Sequence, residues 1–147
     1  NVYPINFVQD NESKSSRGVL RGLHFQKPPF HQAKLVRCIE GTIMDVAVDI
    51  RKGSLTYGKH IAVELSGDNK RQLFIPRGFA HGFSVLSEIA IFAYKVDNTY
   101  APEYDFGIRF NDKELNIDWG LKPAEIQLSE KDKNLTCFKD LDSPFNF

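Results

Sequence analysis

Apolar and polar positions alternate with a period of two through most of the chain up to Val96, the spacing expected of half-buried strands. Residues 3–9 and 19–25 are apolar alternating runs, and the polar DNESKSSRG between them carries the serines and glycine of a loop. Together they predict a hairpin-like pair. Lys27-Pro28-Pro29 breaks the chain, after which 33–39, 42–49 and 60–65 read as three strands rich in valine and isoleucine. Residues 72–75, 82–85 and 89–96 continue the series, punctuated by Pro76-Arg77-Gly78 and Leu86-Ser87-Glu88. No apolar 3.6-residue period lasts long enough for a long helix. Beyond Val96 the pattern thins: 108–110 predicts one more strand, and NDKELNIDWGLKPAEIQLSEKDKNL predicts loops and a short helical turn covering the sheet. Many short strands at close spacing predict an all-β fold of two antiparallel sheets, a sandwich or jelly-roll barrel, with loops and short helical turns at the carboxyl end.

Length and charge narrow the picture. A chain of 147 residues suits one domain, 1–147, able to bury a core without disulfides or metal. Nineteen basic and nineteen acidic residues give a formal net charge of zero, against the broad electrostatic grip of non-specific nucleic-acid binding. Cys38 and Cys137 lie far apart and form no CxxC pair, which suits reduced thiols in a cytoplasmic protein. No apolar run approaches the ~18 residues of a membrane span, and no signal peptide is visible. The chain begins at Asn1 and enters strand-like sequence almost at once, so further residues are expected upstream.

Two stretches carry candidate chemistry. RGVLRGLHFQ sets His24 near Arg21 on a strand, and a neutral imidazole can take a proton near pH 7. In IPRGFAHGF a proline and two glycines bracket His81, so a turn can aim it into a barrel mouth. The PxGxxH pattern there resembles the cupin jelly rolls, whose metal-binding members add an earlier HxH and a downstream glutamate. Here the earlier position reads His24-Phe25-Gln26 and the second histidine is absent. Two imidazoles and one uncertain carboxylate make a poor site for a first-row metal, so no metal is expected. Either histidine alone could equally be a core residue bonded to a backbone carbonyl. Asp45, in an otherwise apolar strand, is a buried carboxylate that needs a partner among these cations.

Longer segments carry a specific resemblance. VQDNESKSSRGVLRGLHFQ, AKLVRCIEGTIMDVAVDIRKGS, NKRQLFIPRGFAHGFSVLSE and YKVDNTYAPEYDFGIRFND, followed by IDW and LSEKD, resemble the dTDP-4-dehydrorhamnose 3,5-epimerase family in order and spacing. The resemblance implies a homodimeric, cofactor-free cupin jelly roll that epimerises a dTDP-linked 4-keto-6-deoxyhexose. It implies His24 as catalytic base, Asp132 as the carboxylate that orients it, Lys34 as the cation facing the keto oxygen and Tyr94 as the proton donor. It further implies substrate contacts from Arg21 and Lys131 to the diphosphate, from His81 to the sugar, and from Gln9, Asn11 and Tyr100 to the nucleotide. Asp105 stands where the family commonly has glutamate. Family members also carry an upstream strand and a GDERGFFFES-like segment that contacts the nucleotide, and this sequence lacks both.

Each of these residues also has a plainer reading: Asp132 as a solvated tail residue or helix cap, Lys34 as a solvated strand end, Tyr94 as core packing. Three other functions also stay open. A single-position epimerase of the same family would share the base, acid and lysine. A non-catalytic cupin would be expected to have lost His24, Tyr94 or Asp132, and all three are present. A metal-dependent cupin would need a third ligand.

Overall fold

The computed structural model describes residues 4–147, whose regular structure is mostly β. The strands are β1 (Gln9–Ser16), β2 (Leu20–Gln26), β3 (Lys34–Glu40), β4 (Thr42–Asp49), β5 (His60–Ser66), β6 (Gln72–Ile75), β7 (Phe79–Val85), β8 (Ile89–Val96) and β9 (Asp105–Gly107). Two antiparallel sheets form, one in the order β1-β8-β3-β6 and the other β5-β4-β7-β2-β9.

Alternation decides what each face meets. Val36 and Cys38 of β3, Ile43 and Ala47 of β4, Phe83 and Val85 of β7, and Ala90 and Phe92 of β8 fill the space between the sheets. The opposite face of the five-stranded sheet is apolar as well: Leu20, Val46, Val48 and Ala80 pack against Leu115, Trp119 and Phe145 of the tail. Fully burying each such side chain is worth about 1.5–3 kcal/mol, enough to hold a segment with little regular structure. The tail therefore covers the sheet as its composition predicts. Trp119 donates from its indole nitrogen to the Phe110 carbonyl at 2.9 Å, and Ser84 donates to the Trp119 carbonyl at 2.6 Å. The only α-helix among the described residues is the one-turn α1 (Glu130–Lys133).

The sequence pattern misplaced one strand and its partner. The polar segment read as a loop is β1, while residues 4–8 of the predicted first strand form none, and Tyr3 lies outside the described residues. The predicted hairpin with the next run does not form. β1 pairs with β8 in the four-stranded sheet, and β2 pairs with β7 and β9 in the other. The cause is that β1 presents polar residues to both sides, with Gln9, Asn11, Ser13 and Ser15 half-buried and Asp10, Glu12, Lys14 and Ser16 exposed. Its period of two is present, but without an apolar face to reveal it. The late strand is displaced too: β9 precedes the predicted 108–110, where Ile108 bonds the Leu23 backbone in both directions at 2.9 Å and bridges Thr136 outside any strand. β7 starts at Phe79, earlier than predicted.

Candidate active site

The site begins with an irregularity in β2. Arg21 pairs with Phe83 and His24 with His81, so three steps along β2 match two along β7, and a bulge lies between. In a regular strand residues three apart face opposite ways. Here both stand opposite residues of one β7 face, the face whose Phe83 fills the inter-sheet core. Glycine makes the close approach possible: a Cβ on Gly22, whose φ is +116°, would lie 2.7 Å from the Gly82 Cα and 2.8 Å from the His81 carbonyl oxygen.

His24 finds its carboxylate across most of the chain length. Nε2 donates to Asp132 Oδ1 at 2.5 Å, and Asp132 Oδ2 accepts from the Gly22 backbone at 3.2 Å. Asp132 sits on α1, where its own backbone N–H donates to Ser129 Oγ at 3.2 Å, the cap of that turn. Its side chain is 1 % exposed against 27 % for His24. Burial alone would raise the Asp132 pKa, but the bonds from His24, Gly22 and Ser129 and the charge of His24 hold it below the ordinary carboxylate value. An ionised Asp132 fixes the proton of a neutral His24 on Nε2, and the lone pair is then on Nδ1.

A second imidazole–carboxylate pair lies beside the first. His81 Nε2 donates to Asp45 Oδ1 at 2.5 Å, both groups are buried, and Asp45 Oδ2 has no partner among the described residues. The partner expected for Asp45 is thus His81. Burial lowers the His81 pKa, Asp45 pulls it back up, and the nearby charges of Lys34 and His24 lower it further.

The facing sheet supplies Lys34 and Tyr94. Lys34 starts β3 and Tyr94 lies on β8 opposite both Val36 and Asn11, with the Lys34 Nζ 5.9 Å from the Tyr94 ring centre. Desolvation lowers the Lys34 pKa, and the carboxylates of Asp105 and Asp45 work to retain its proton. Desolvation raises that of Tyr94, helped by Asp105 and opposed by Arg21, so the phenol is protonated at neutral pH.

A polar rim surrounds these groups. Gln9 donates to Asn11 at 2.9 Å, and its Oε1 accepts from the Tyr100 backbone at 3.4 Å. Tyr100 is 56 % exposed, and its hydroxyl donates to Asp105 Oδ2 at 3.5 Å. Asp105 also pairs with Lys131, which adjoins Asp132 on α1, and Arg21 is exposed. All twelve residues singled out from the sequence therefore fall in one connected region: His24, Arg21, Asp132, His81, Asp45, Lys34 and Tyr94 within it, and Gln9, Asn11, Tyr100, Asp105 and Lys131 around it. Among the described residues no group of three or more His, Cys, Asp or Glu side chains could hold a metal ion. Gln26, at the position of the absent histidine, is engaged otherwise: it is 4 % exposed and bonds three backbone groups of two loops. The sequence alone does not show that role, because the two loops meet only in the fold.

Comparison with known proteins points the same way. The profile of one protein family, described as dTDP-4-dehydrorhamnose 3,5-epimerase, matches residues 1–140. The dTDP-4-dehydrorhamnose 3,5-epimerase of Escherichia coli K12 is 55 % identical over 139 residues, which span 95 % of this chain and 75 % of that protein. A crystal structure of a dTDP-6-deoxy-D-glucose-3,5-epimerase from Legionella pneumophila, in complex with dTDP-4-keto-L-rhamnose, superposes with a TM-score of 0.94 at 49 % identity, covering 99 % of this chain and 77 % of that one. A 3′-monoepimerase from Streptomyces bikiniensis, in complex with dTDP-quinovose, gives a TM-score of 0.81 at 32 % identity, covering 89 % and 66 %.

Proposed function

Because the chain belongs to the dTDP-4-dehydrorhamnose 3,5-epimerase family, we propose that it inverts C3 and C5 of dTDP-4-dehydro-6-deoxy-D-glucose to give dTDP-4-dehydro-L-rhamnose. The observation that carries this reading is the His24–Asp132 pair, set on the face of β2 that looks towards Lys34 and Tyr94.

The chemistry follows from the substrate. C3 and C5 flank the C4 ketone, which acidifies the hydrogen on each but leaves it far too weak an acid for water to remove quickly. A positioned base and a stabilised enolate supply what is missing. His24 takes the proton, the C–H electron pair moves into the enolate, and Asp132 stabilises the imidazolium so formed. The negative charge develops on the former keto oxygen, where Lys34 meets it. Tyr94 then delivers a proton to C5 from the face opposite His24, which inverts the centre. Reprotonation of the phenol and loss of the imidazolium proton return the site for C3, where His24 again removes the proton and a solvent proton adds to the opposite face as the enolate returns to the ketone. His81, held by Asp45, contacts the sugar. Arg21 and Lys131 bind the diphosphate, and Gln9, Asn11, Tyr100 and Asp105 face the nucleotide.

A cytoplasmic homodimer completes the proposal. Among the described residues no helix is long and apolar enough to cross a membrane. On the outward face of the four-stranded sheet, Ile39, Phe74 and Ile89 are about two-fifths exposed at 39 %, 39 % and 40 %, a surface suited to a second copy.

A single-position epimerase is the second reading, favoured by the likeness to the 3′-monoepimerase. Incubating the protein with dTDP-4-keto-6-deoxyglucose and identifying the product by proton NMR separates the two. The rhamno-configured sugar supports inversion at both carbons, and a product inverted at one carbon alone supports the alternative.

A further inference from the structure

Gln26 stands two residues beyond His24 on β2, buried, with its whole amide committed to backbone. Nε2 donates to the Phe30 carbonyl at 2.6 Å and the Thr99 carbonyl at 3.1 Å, and Oε1 accepts from the Ala101 N–H at 2.8 Å. These groups belong to two loops, one between β2 and β3 and the other after β8. Further bonds join the same loops: Gln32 to the Asn98 carbonyl at 2.8 Å, Asn98 to the Pro29 carbonyl at 2.9 Å, and the Ala33 N–H to Asp97 at 2.7 Å. Those contacts all fall on Asp97 and Asn98, at the start of the second loop. Gln26 alone among them bonds both neighbours of Tyr100.

The flanked residue is exposed and tied only loosely, by contacts of 3.4 and 3.5 Å to Gln9 and Asp105. An exposed ring is a useful stacking platform only if its backbone is fixed, because ordering it at the moment of binding costs affinity. We propose that Gln26 is a positioning residue for nucleotide binding, fixing the Thr99–Ala101 backbone so that the Tyr100 ring is preorganised to stack on the dTDP base. The proposal rests on the reading of Tyr100 as a nucleotide contact. It also gives a reason for glutamine at the place where a metal-binding cupin has histidine: three backbone groups on two loops require two donors and an acceptor in one planar head, which an amide has and an imidazole does not.

The test is dTDP binding by calorimetry to the full chain and to Gln26→Ala, Tyr100→Ala and the double variant, with kcat and KM measured alongside. Each single change is expected to weaken dTDP binding roughly tenfold, the equivalent of one lost net hydrogen bond or stacking contact. Gln26→Ala is expected to raise KM and leave kcat within about twofold, since it touches no reacting atom. The double variant should bind no worse than Tyr100→Ala, because Gln26 acts through that ring. Gln26→Glu adds a readout that survives a folding defect in the alanine variant. Its carboxylate repels the two carbonyls, whereas its protonated form restores one donor, so its dTDP affinity should recover as pH falls from 8 to 5 relative to the unaltered chain. Unchanged dTDP affinity in Gln26→Ala, additive losses in the double variant, or no relative recovery of Gln26→Glu would each overturn the proposal. Failure of the unaltered chain to bind dTDP at all would instead overturn the function reading beneath it.

Discussion

Asp132 and Asp45 each hold a histidine at 2.5 Å, yet the two pairs differ in access to solvent. His24 is 27 % exposed at its side chain and open to a substrate, whereas His81 is 7 % exposed and is held neutral by burial. His24→Ala is therefore expected to cost at least about 10²–10⁴-fold in kcat, the usual worth of a positioned base. Asp132→Asn, measured in the same assay, should lose about 10²-fold or more, because the amide can present a donor to Nε2 and favour the wrong tautomer. Asp45 acts at one remove. Its charge helps Lys34 keep a proton that burial works to release, so Asp45→Asn lowers the Lys34 pKa further. The alkaline limb of the kcat profile should move to lower pH in that variant, and a limb that stayed in place would detach Asp45 from Lys34.

Among the elements, β2 carries three residues of the proposed site, Arg21, His24 and Gln26, on an irregular backbone. Gly22 in the bulge and Gly82 opposite it let the two strands meet more closely than side chains allow, since a Cβ on Gly82 would lie 2.6 Å from the Arg21 carbonyl oxygen. Gly22→Ala combines that clash with a backbone angle L-residues rarely adopt, and should destabilise the fold by about 2–3 kcal/mol in urea unfolding. The strands around it were legible because valine and isoleucine alternate with polar residues. β1 was not, since both its faces are polar. The bulge was invisible as well: RGVLRGLHFQ shows two glycines but not which strand will lie against them. The sequence singled out His24, His81 and Asp45 by pattern and the other candidates by resemblance, whereas the His81–Asp45 bond and the engagement of Gln26 depend on pairings that only the folded sheets create.

For the whole molecule, two buried carboxylates, Asp49 and Asp132, contribute to the response to acid. Burial opposes ionisation of Asp49, but hydrogen bonds from Arg51, Ser54 and Thr56 outweigh it and hold the group well below the usual range. Asp132 is shifted in the same direction. A depressed folded-state pKa stabilises the protein at pH values above the unfolded one, about 3.9, and that contribution fades as pH falls below it. Asp49→Asn should lose about 2–3 kcal/mol at pH 7, and its deficit should narrow below about pH 4. Light scattering is expected to give the mass of two chains, and Ile89→Glu, on the outward face of the four-stranded sheet, to shift it toward one.

On the proposed mechanism one base, His24, opens both carbons flanking the ketone. Incubation with dTDP-4-keto-6-deoxyglucose in deuterated water, with label followed at C3 and C5 by NMR, tests it most directly. Deuterium is expected at both positions with the unaltered chain, at neither with His24→Ala, and exchange without productive inversion at C5 with Tyr94→Phe. Label at either carbon in the His24→Ala protein at the unaltered rate would contradict it.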